Sequence, residues 1–481
     1  MENNDFVKEI ADINTDFAQW YTDVVLKTEM ADYGPVKGTM VMRPYGYAVW
    51  ENMQREMDNR IKAAGTQNAY FPVLIPYSFL TKEADHVEGF APEVAVVTHA
   101  GGEDLAEPLV VRPTSETVIC NMFAKWVNSY RDLPLKVNQW ANVIRWEKTT
   151  RPFLRTSEFL WQEGHTLHAT EEEAEEETLK MLEVYREFCE NVLAIPMFVG
   201  RKSEKEKFAG AVRTYSIEAI MQDGKSLQAG TSHNLGQNFS KAFNIKFLDK
   251  DGTHKFAYQT SWGTSTRLIG ALIMTHGDQR GLVLPPMVAP YQVVIVPIAQ
   301  HKEGVLDWVN KTAETLRNAG IRVKVDDRDA TPGWKFNEWE MKGVPLRIEF
   351  GPKDLENGNI TMFRRDLNAK ESVAQGDIVA QVKEMLAQIQ ANMLEKAQAF
   401  KDSHIKTVYN REELIEAVNA GNFAKAMWCG SRECEEKLKA DTAITTRNMP
   451  FAQERISDTC ACCGKKLADD EGKLIFLAKA Y

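Results

Sequence analysis

The chain has 481 residues, of which 44% are hydrophobic and 26% charged, and a formal net charge of -10 at pH 7. The length predicts two or three domains, since single cores stop growing near ~250–300 residues, and the composition excludes disordered and fibrous classes. The negative charge excludes nucleic-acid binding through bulk positive charge, so any RNA contact must depend on local basic patches.

The beginning of the chain predicts no export. Residues 1–20 carry acidic side chains such as Asp12 and Asp16, without the basic and apolar segments of a secretory signal. The most apolar run lies around Val293–Ile298 and falls far short of the ~18 residues that suggest a transmembrane helix. We therefore expect a cytoplasmic protein with no membrane partner.

The first strong periodic pattern lies between Pro44 and Ala64. Apolar residues recur there every four positions and predict a helix, which Gly65 ends because glycine readily adopts a left-handed conformation. The apolar segment Ala69–Ile75 then predicts a strand. Pro72 places this strand at a sheet edge or an interface, since proline cannot donate a ladder hydrogen bond.

The densest group of chemically capable side chains falls between Asn142 and His165, where two predicted strands, 142–147 and 155 onward, flank a basic turn. Strand residues alternate faces, so six of these side chains share one sheet surface. A dry burial of this surface would be costly, which favours a ligand-binding face; the alternative is a surface ladder with aromatic cover. The six are Arg145, Glu147, Phe159, Trp161, Glu163 and His165.

Another helix is predicted from Thr170 to Asn191. Thr170 and Glu173 have the spacing of a capping box, and the following apolar stripe includes Leu179. The acidic run Glu171–Glu177 is interpreted as a solvated face that complements the positive end of the helix dipole.

After residue 290 the pattern changes to alternating strands and helices. Strands are predicted at Tyr291–Pro297 and Ile321–Val325 around a helix at Glu303–Asn318, and further strands at Leu346–Phe350 and Ile360–Phe363. This order predicts a separate α/β domain.

Two cysteine pairs near the end of the sequence have the spacing of a zinc site. They are Cys429 with Cys434, and Cys460 with Cys463. Four thiolates suit a tetrahedral, structural Zn²⁺ with no open position for water. Cys462 leaves a second pairing open, although the two-residue gap favours Cys460 and Cys463, and inert reduced thiols are a further alternative.

Five segments resemble those of class II prolyl-tRNA synthetases, and the three signature motifs occur in the order found in that family. The helix ending at Gly65 and the strand containing Pro72 resemble motif 1. The proline-binding loop and its adjoining strand also have counterparts. Segments 145–147 and 155–166 resemble motif 2, Gly263–Arg267 motif 3, Arg112–Glu116 the proline-binding loop, and Gln228–His233 the adjoining strand.

The resemblance implies that the chain activates L-proline with ATP and transfers it to the 3′ end of tRNA(Pro). Arg145 would bridge the proline carboxylate and the α-phosphate, and Arg267 would hold the γ-phosphate, tasks that suit the paired donors of arginine. Glu147 and Phe159 would bind adenine. The further ATP-binding residues expected are Gln228 and Ser265.

Magnesium is expected to accompany ATP, bound mainly through the ATP oxygens. Gln228 stands where several relatives place a metal-binding acid, and an amide is a poorer ligand for a hard cation. Glu218 is a second candidate for this role, with a structural pair to a basic neighbour as the equal alternative.

The resemblance also implies a proline pocket. Thr114 and Glu116 would receive the secondary ammonium, although a Thr-Ser-Glu sequence is by itself more often a helix cap, and both interpretations are compatible. An aromatic wall suits the cationic pyrrolidine. His233 alone would more often be a core histidine, but its strand phase with Thr231 favours the pocket. The ring pocket would comprise Trp161, Glu163, His165, Thr231 and His233.

For the whole chain, the resemblance implies a catalytic domain on an antiparallel sheet (1–285), an α/β anticodon-binding domain (286–390) and a C-terminal zinc-binding α+β domain (391–481). The anticodon-binding domain would use interleaved basic and aromatic residues, with an ordinary α/β domain and solvated charges as the alternative. These residues are Arg328, Gly333, Trp334, Lys335, Phe336, Glu340, Arg347, Arg364 and Arg365.

The resemblance further implies a homodimer of the archaeal/eukaryotic-like type. The interval between His165 and Gly210 is too short for the editing insertion of many bacterial relatives, so no editing in cis is expected. The carboxylate of Tyr481 is expected near the active site. Two alternatives compete with this interpretation. A threonyl enzyme would need a catalytic zinc site with histidine and cysteine in the pocket strands, and no cysteine lies between Cys189 and Cys429. A noncatalytic RNA-binding relative is disfavoured by the presence of Arg145, Glu147 and Arg267.

Overall fold

The computed structural model describes residues 10–84 and 94–481, with the side chains of residues 82–84 excepted. Part of the segment used to predict the absence of a secretory signal, residues 1–9, lies outside this described part. Among the residues described, every helix is too short or too polar to cross a membrane.

The described residues up to 276 form most of one large sheet, three small sheets and the helices around them. In chain order, their helices and strands are α1 (Phe17–Lys27), β1 (Ala31–Tyr33), β2 (Met40–Met42), α2 (Pro44–Ala63), β3 (Gln67–Asn68), β4 (Leu74–Pro76), α3 (Tyr77–Ala84), β5 (Ala95–Ala100), β6 (Glu103–Val111), α4 (Glu116–Trp126), a 3₁₀ turn (Tyr130–Asp132), β7 (Leu135–Ile144), β8 (Glu158–His168), α5 (Glu171–Asn191), β9 (Phe198–Arg201), β10 (Arg213–Ile220), β11 (Ser226–Gly236), α6 (Asn238–Ala242), β12 (Lys246–Leu248), β13 (His254–Phe256), β14 (Tyr258–Ser265) and α7 (Arg267–His276).

The rest of the chain forms two smaller sheets with their own helices. The middle part contains β15 (Val293–Pro297), α8 (Val305–Asn318), β16 (Val323–Val325), α9 (Pro332–Met341), β17 (Leu346–Phe350), α10 (Pro352–Asn357), β18 (Asn359–Arg364) and β19 (Ala369–Ala374). The last part contains α11 (Ile378–Ser403), β20 (Ile405–Thr407), α12 (Arg411–Asn419), β21 (Phe423–Trp428), α13 (Arg432–Thr442), β22 (Thr445–Thr446), β23 (Met449–Pro450) and β24 (Lys473–Ala478).

The large sheet has eight strands in the order β23-β9-β10-β11-β14-β8-β7-β3. All neighbours are antiparallel except β3 and β7, so the predicted antiparallel sheet is found. Helix α5 packs against it through buried side chains such as Leu182 and Tyr185. Gly164 permits this packing, because a Cβ atom there would lie 2.2 Å from the ring of Trp262.

The middle sheet has the order β16-β15-β17-β18-β19, with parallel pairing of β15 to both neighbours. Its core of aliphatic side chains lies between this sheet and helices α8 and α11. The predicted α/β unit is therefore found, and its helix begins at Val305 rather than Glu303.

The final part of the chain contacts the large sheet directly. Strand β23 pairs with β9 at the sheet edge, with Met449 opposite Arg201. At the C-terminus, the backbone N–H of Tyr481 donates to the Ser226 carbonyl at 3.1 Å, and the Tyr481 hydroxyl donates to Asp223 at 2.7 Å. The N–H and the hydroxyl of Tyr481 thus hold the end of the chain against the large sheet, and a place for its carboxylate near the active site stays a prediction.

The strand predicted at Ala69–Ile75 is wrong in its bounds. The structure has two short strands, β3 and β4, which belong to different sheets. Pro72 lies between them and has no N–H to donate. The carbonyl of Phe71 accepts instead from the Arg112 guanidinium at 2.6 Å. The chain therefore changes sheets where the ladder cannot continue.

Helix α5 begins as predicted, because the Thr170 hydroxyl accepts from the Glu173 N–H. Two details of the prediction are wrong. Leu179 is 36% exposed rather than part of the buried stripe. The acidic run is only partly solvated, since Glu177 is buried and paired with Lys136. A single helix face of this kind can carry both apolar and paired charged side chains.

Candidate active site

A cavity of 340 Å³ opens on the face of the large sheet formed by β8, β11 and β14. A smaller cavity of 50 Å³ adjoins it and contains Glu147. The structure thus brings together every predicted ATP- and proline-binding residue, and their roles stay predictions. The predicted residues on the large cavity are Thr114, Glu116, Arg145, Phe159, Trp161, Glu163, His165, Gln228, Thr231, His233, Ser265 and Arg267.

Arg145 lies between the two cavities. Strand β7 ends at Ile144, so the prediction that Arg145 and Glu147 lie within a strand is wrong. The Arg145 side chain still reaches the predicted face, with its guanidinium carbon 5.5 Å from the Phe159 ring centre and 5.3 Å from that of Trp161. Its Nε donates to the Pro113 carbonyl at 3.1 Å, which leaves other donors directed to a ligand.

Arg267 gives this end of the cavity a second cation. Its Nε donates to the Leu154 carbonyl at 3.1 Å, which fixes the guanidinium at the start of α7. Burial, with the nearby charges of Arg155 and Arg145, lowers the pKa of Arg267 to about 10. Like charges held this close in a buried place favour an anionic ligand, which would relieve their repulsion.

Glu147 is the acidic group of the smaller cavity. One of its carboxylate oxygens lies 3.6 Å from the Arg155 guanidinium, in a partly exposed ion pair. Phe159 lines both cavities. An aromatic face beside a hydrogen-bond acceptor is suited to a planar base with an amino group.

Glu163 is fixed by several donors at the opposite end of the large cavity. Its carboxylate accepts from Gln139 Nε2 at 3.0 Å and from the Ser115 N–H at 3.1 Å, and it lies 3.0 Å from His165 Nε2. Burial raises the pKa of Glu163, but His165 and Ser115 outweigh it, so the net shift is downward. Glu163 is therefore a fixed anion.

Glu116 is a second buried carboxyl at this end. It accepts from the Ser261 hydroxyl at 2.9 Å and from the Thr114 hydroxyl at 3.2 Å. Burial raises the pKa of Glu116, and the neighbouring charge of Glu163 raises it further against the opposing effect of His165. A cationic ligand would stabilise the ionised form of Glu116.

Trp161 has an open donor. Its indole Nε1 is buried and has no hydrogen-bond partner among the residues described. A buried N–H without a partner costs free energy, so such a group on a cavity wall is a candidate donor to a ligand. Trp161 thus combines an aromatic wall with one polar contact.

Six residues that line this cavity were not predicted from the sequence: Lys202, Glu206, Phe208, Thr214, Ser261 and Trp262. The ring centres of Phe208 and His233 lie 4.8 Å apart. Thr214 Oγ1 accepts from the Phe208 N–H at 2.9 Å and lies 3.0 Å from His233 Nδ1. A single aromatic residue within the basic stretch 201–213 was the available signal.

His233 is an uncharged member of the pocket. Burial, with the nearby His165, lowers its pKa to about 3, so its imidazole is neutral near pH 7. Its ring therefore contributes shape and a hydrogen bond to the cavity rather than a charge.

Glu218 lies outside the cavity and has a structural pair. It is fully buried in β10, where it accepts from Lys202 Nζ at 2.8 Å and from Arg447 Nη2 at 2.9 Å. The Ser226 hydroxyl also donates to it at 2.8 Å. Of the two roles predicted for Glu218, these contacts favour the structural pair over magnesium binding.

The four predicted metal-binding cysteines form a cluster. One ligand atom from each lies within 4.8 Å of all the others. Cys429 and Cys463 sulfurs are 3.9 Å apart, as are those of Cys434 and Cys460. A tetrahedron with ~2.3 Å zinc–sulfur bonds has edges of ~3.8 Å, so the four thiols fit zinc. Cys462 is buried and is not part of this cluster.

The predicted RNA-binding charges of the middle domain are largely committed to internal contacts. Arg347 and Arg365 are buried and pair with Glu349 and Asp278 respectively. Arg347 therefore belongs to the domain interior, and RNA binding by this set of residues stays a prediction. Trp334, by contrast, is 46% exposed at the start of α9.

Groups of opposite charge lie at different ends of the cavity. Two arginines stand at one end, where Arg145 lies over the rings of Phe159 and Trp161, and two carboxylates stand toward the other, where Glu116 accepts from Ser261. Such an arrangement can hold a ligand cation against the acids while its carboxylate points toward the arginines and a phosphate group.

Three family models match the chain. Residues 98–276 match the "tRNA synthetase class II core domain (G, H, P, S and T)". Residues 292–385 match the "Anticodon binding domain". Residues 411–481 match the "Prolyl-tRNA synthetase, C-terminal" family.

Curated relatives match over almost the full length. A proline–tRNA ligase of Alkaliphilus oremlandii is 60% identical over 478 residues, which cover 99% of this chain and 98% of that protein. One from Acetoanaerobium sticklandii is 57% identical, covering 100% and 99%. The crystal structure of prolyl-tRNA synthetase from Cryptosporidium parvum complexed with halofuginone and AMPPNP is 42% identical, with a TM-score of 0.94 and coverage of 100% and 99%.

Proposed function

Because the chain belongs to the class II prolyl-tRNA synthetases, we propose that its 340 Å³ cavity is the site where proline is activated. The activity is that of a proline–tRNA ligase, which uses ATP and proline to charge tRNA. The observation that carries the assignment to this cavity is its sorting of charge, with arginines at one end and carboxylates at the other.

In the first step, a carboxylate oxygen of proline attacks the α-phosphorus of ATP. The bond from that phosphorus to the bridging oxygen breaks, and pyrophosphate leaves with the electron pair. Arg145 bridges the two reacting anions and stabilises charge on the phosphoryl oxygens. Arg267 holds the γ-phosphate. Both guanidiniums are anchored by backbone carbonyls, which fixes them before the substrates arrive.

The remainder of ATP occupies the side of Arg145 that includes the smaller cavity. Phe159 stacks on adenine, Glu147 accepts from its amino group, and Gln228 and Ser265 complete the site. ATP would be bound with Mg²⁺, which would neutralise part of the phosphate charge.

Proline occupies the carboxylate end of the cavity. Its secondary ammonium lies between Thr114 and Glu116, while an aromatic and histidine wall encloses the ring. Glu163 acts as an anion that fixes His165 and the Ser115 N–H. The residues proposed for the ring wall are Trp161, Glu163, His165, Thr231, His233 and Phe208, all of which line the cavity.

In the second step, a hydroxyl at the 3′ end of tRNA(Pro) attacks the prolyl carbonyl carbon of the adenylate. The carbon–oxygen bond to AMP breaks, and AMP leaves. Arg145 lies between the two halves of the adenylate and so favours departure of the phosphate.

We also propose the domain bounds 1–285, 286–390 and 391–481 for catalysis, anticodon binding and zinc binding. The ranges matched by the three family models fall inside these bounds. The C-terminal part would hold structural Zn²⁺ through Cys429, Cys434, Cys460 and Cys463. The 3.9 Å separations between paired sulfurs support this proposal. Zinc there would fix the fold and leave no open coordination position.

Further parts of the proposal are a cytoplasmic homodimer of the archaeal/eukaryotic-like type, without editing in cis. Support for the dimer comes from apolar side chains exposed on the β1–β2 hairpin, such as Tyr33, Val36 and Val41. Support for the absence of editing comes from the short interval between β8 and β10, which holds only α5, β9 and a loop.

The test is proline-dependent exchange of pyrophosphate into ATP by Arg145→Ala. We expect the exchange to be abolished while the melting temperature stays near that of the wild type, because Arg145 acts on the substrates and has one anchoring hydrogen bond. Arg186→Ala is the matched control, since Arg186 pairs with Glu183 and Glu190 on the outer side of α5. Near-normal turnover in Arg145→Ala would remove this residue from the mechanism.

A further inference from the structure

The loop between β9 and β10, residues 202–212, covers one side of the central cavity. Lys202, Glu206 and Phe208 of this loop line the cavity, and Phe208 lies beside His233 at its proline end. The loop has no helix or strand of its own. Backbone hydrogen bonds hold its two ends, from the Lys202 N–H to the Thr214 carbonyl and from the Val212 N–H to the Asn234 carbonyl, and side chains help to hold the part between them.

The first support of this 202–212 loop passes through a buried carboxylate. Lys202 donates to Glu218 at 2.8 Å, and Arg447 donates to the other oxygen of Glu218 at 2.9 Å. All three side chains are buried, with exposures of 2%, 0% and 7% for Lys202, Glu218 and Arg447. The buried carboxylate of Glu218 keeps its position while its cationic partners remain. Arg447 therefore helps to fix Glu218, and Glu218 fixes Lys202.

The second support reaches the next residue of the loop. Glu435, in the first turn of α13, accepts from the Ser203 hydroxyl at 3.0 Å and from the Thr446 hydroxyl. Ser203 Oγ in turn accepts from the backbone N–H of Glu206 at 3.2 Å. Glu435 thus orients a hydroxyl that shapes the loop between Lys202 and Phe208.

The backbone beneath the loop is held from the same direction. Strand β23 pairs with β9, which ends at Arg201, immediately before the loop. Asn448 Nδ2 also donates to the Phe198 carbonyl at 3.1 Å. The close approach needs Gly200, because a Cβ atom there would lie 2.1 Å from the Met449 carbonyl oxygen. Residues 435–450 therefore support the loop through both side chains and backbone.

We propose that Arg447 and Glu435 are positioning residues for proline binding, although both lie more than 200 residues along the chain from the loop that they hold. This proposal rests on the proposed function of the cavity. Neither residue lines the cavity; they act through Lys202 and Ser203 on the wall that contains Phe208.

The position of the loop predicts a selective effect. Phe208 packs at the proline end, whereas the phosphate-binding arginines are held by the carbonyls of Pro113 and Leu154, which lie in other segments. Displacement of the loop should therefore weaken the binding of proline more than that of ATP, of whose proposed ligands only Gln228 lies opposite Glu218.

The experiment measures pyrophosphate exchange in the full chain, with proline and ATP varied separately. For Arg447→Met and Glu435→Ala we expect KM for proline to rise ~10- to 100-fold, the scale of a small misplacement of a binding wall, with a much smaller rise in KM for ATP and little change in kcat. Arg447→Lys and Glu435→Gln keep a donor and an acceptor, respectively, and should restore much of the affinity for proline.

Lys425→Met is the matched control. It also removes one cation from the C-terminal part, but Lys425 pairs with Glu454, within the same part of the chain. We expect wild-type values of KM for both substrates. Melting temperatures measured for every variant separate a displaced loop from general unfolding.

Two results would overturn the proposal: an unchanged KM for proline in the folded variants, or equal rises in both KM values together with a lower melting temperature. If Arg447→Met does not fold, the comparison of Glu435→Ala with Glu435→Gln decides. Failure of the proposed function itself would be visible separately, as a wild-type chain without proline-dependent exchange or an active Arg145→Ala.

Discussion

At the scale of single residues, the cavity contains two carboxyl groups, Glu163 and Glu116, whose pKa values are shifted in opposite directions. Glu163 has a lowered pKa because it accepts from fixed donors, whereas burial raises the pKa of Glu116. The first is therefore held as an anion near pH 7. The second becomes a full anion most readily when a cation such as prolinium is beside it.

Glu116→Gln is predicted to weaken proline use and stabilise the free protein. Loss of a charged contact should lower kcat/KM for proline ~10- to 100-fold. Because the pKa of Glu116 is raised in the folded state, its contribution to stability is present below its ordinary value of 4.5 and is lost as pH rises through the raised value. The variant should therefore have the higher melting temperature near pH 7.

Exchange kinetics and thermal unfolding between pH 4 and pH 8 check this prediction. Glu158→Gln is the control, because Glu158 is exposed at the start of the same strand as Glu163. Wild-type kcat/KM in Glu116→Gln would exclude Glu116 from proline binding. A lower melting temperature of this variant at pH 7 would contradict the raised pKa of Glu116.

At the scale of helices and strands, sequence periodicity predicted those features that depend on a single segment, such as which side chains of a strand share a face. The side chains Phe159, Trp161, Glu163 and His165 share a face because alternate residues of a strand do, wherever that strand lies. Lys202 and Phe208 were missed since they lie on a loop with no period. The bonds from Arg447 and Glu435 join segments more than 200 residues apart, which no local pattern encodes.

The cysteine cluster is a second case at this scale. Sequence spacing left Cys460, Cys462 and Cys463 as candidate ligands. All three lie within four residues of one another, so each could reach a shared metal ion if the backbone turned suitably. The structure places Cys463 and Cys460 with the other pair, while Cys462 packs in the core of the C-terminal part. The path of the backbone decides which two of the three sulfurs join the cluster, and the spacing of the cysteines alone does not determine that path.

Zinc content provides a prediction with an internal control. We expect one zinc per wild-type chain, loss of that zinc in Cys463→Ser, and its retention in Cys462→Ala. Removal of zinc by a chelator should lower the melting temperature, because metal binding contributes to folding. Measurement of zinc by mass spectrometry checks the three proteins; equal zinc in all of them would exclude Cys463 as a ligand.

At the scale of the whole molecule, the C-terminal part of the chain is in direct contact with the large sheet that carries the cavity. Strand β23 extends the catalytic sheet, and Tyr481, at the end of the same C-terminal part, donates to Asp223. The last part of the chain is thus built into the catalytic sheet rather than tethered beside it. We expect its removal to impair proline activation as well as stability.

The proposed absence of editing leads to another prediction at this scale. A pocket distinguishes ligands that differ by small apolar groups by only ~1–3 kcal/mol, so alanine should be activated at a detectable rate. Without editing in cis, mischarged alanyl-tRNA should be stable in the presence of the enzyme. Incubation of purified alanyl-tRNA(Pro) with the enzyme tests this, and rapid enzyme-dependent hydrolysis would contradict it.

The most direct measurement of proline activation in this cavity is amino-acid-dependent exchange of pyrophosphate into ATP, carried out with each of the twenty amino acids. The charge sorting of the cavity and its enclosed ring pocket predict strong exchange with proline, weak exchange with alanine and none with amino acids too large for the pocket. Absence of a proline signal, or a stronger signal with another amino acid, would contradict the assignment of the cavity to proline.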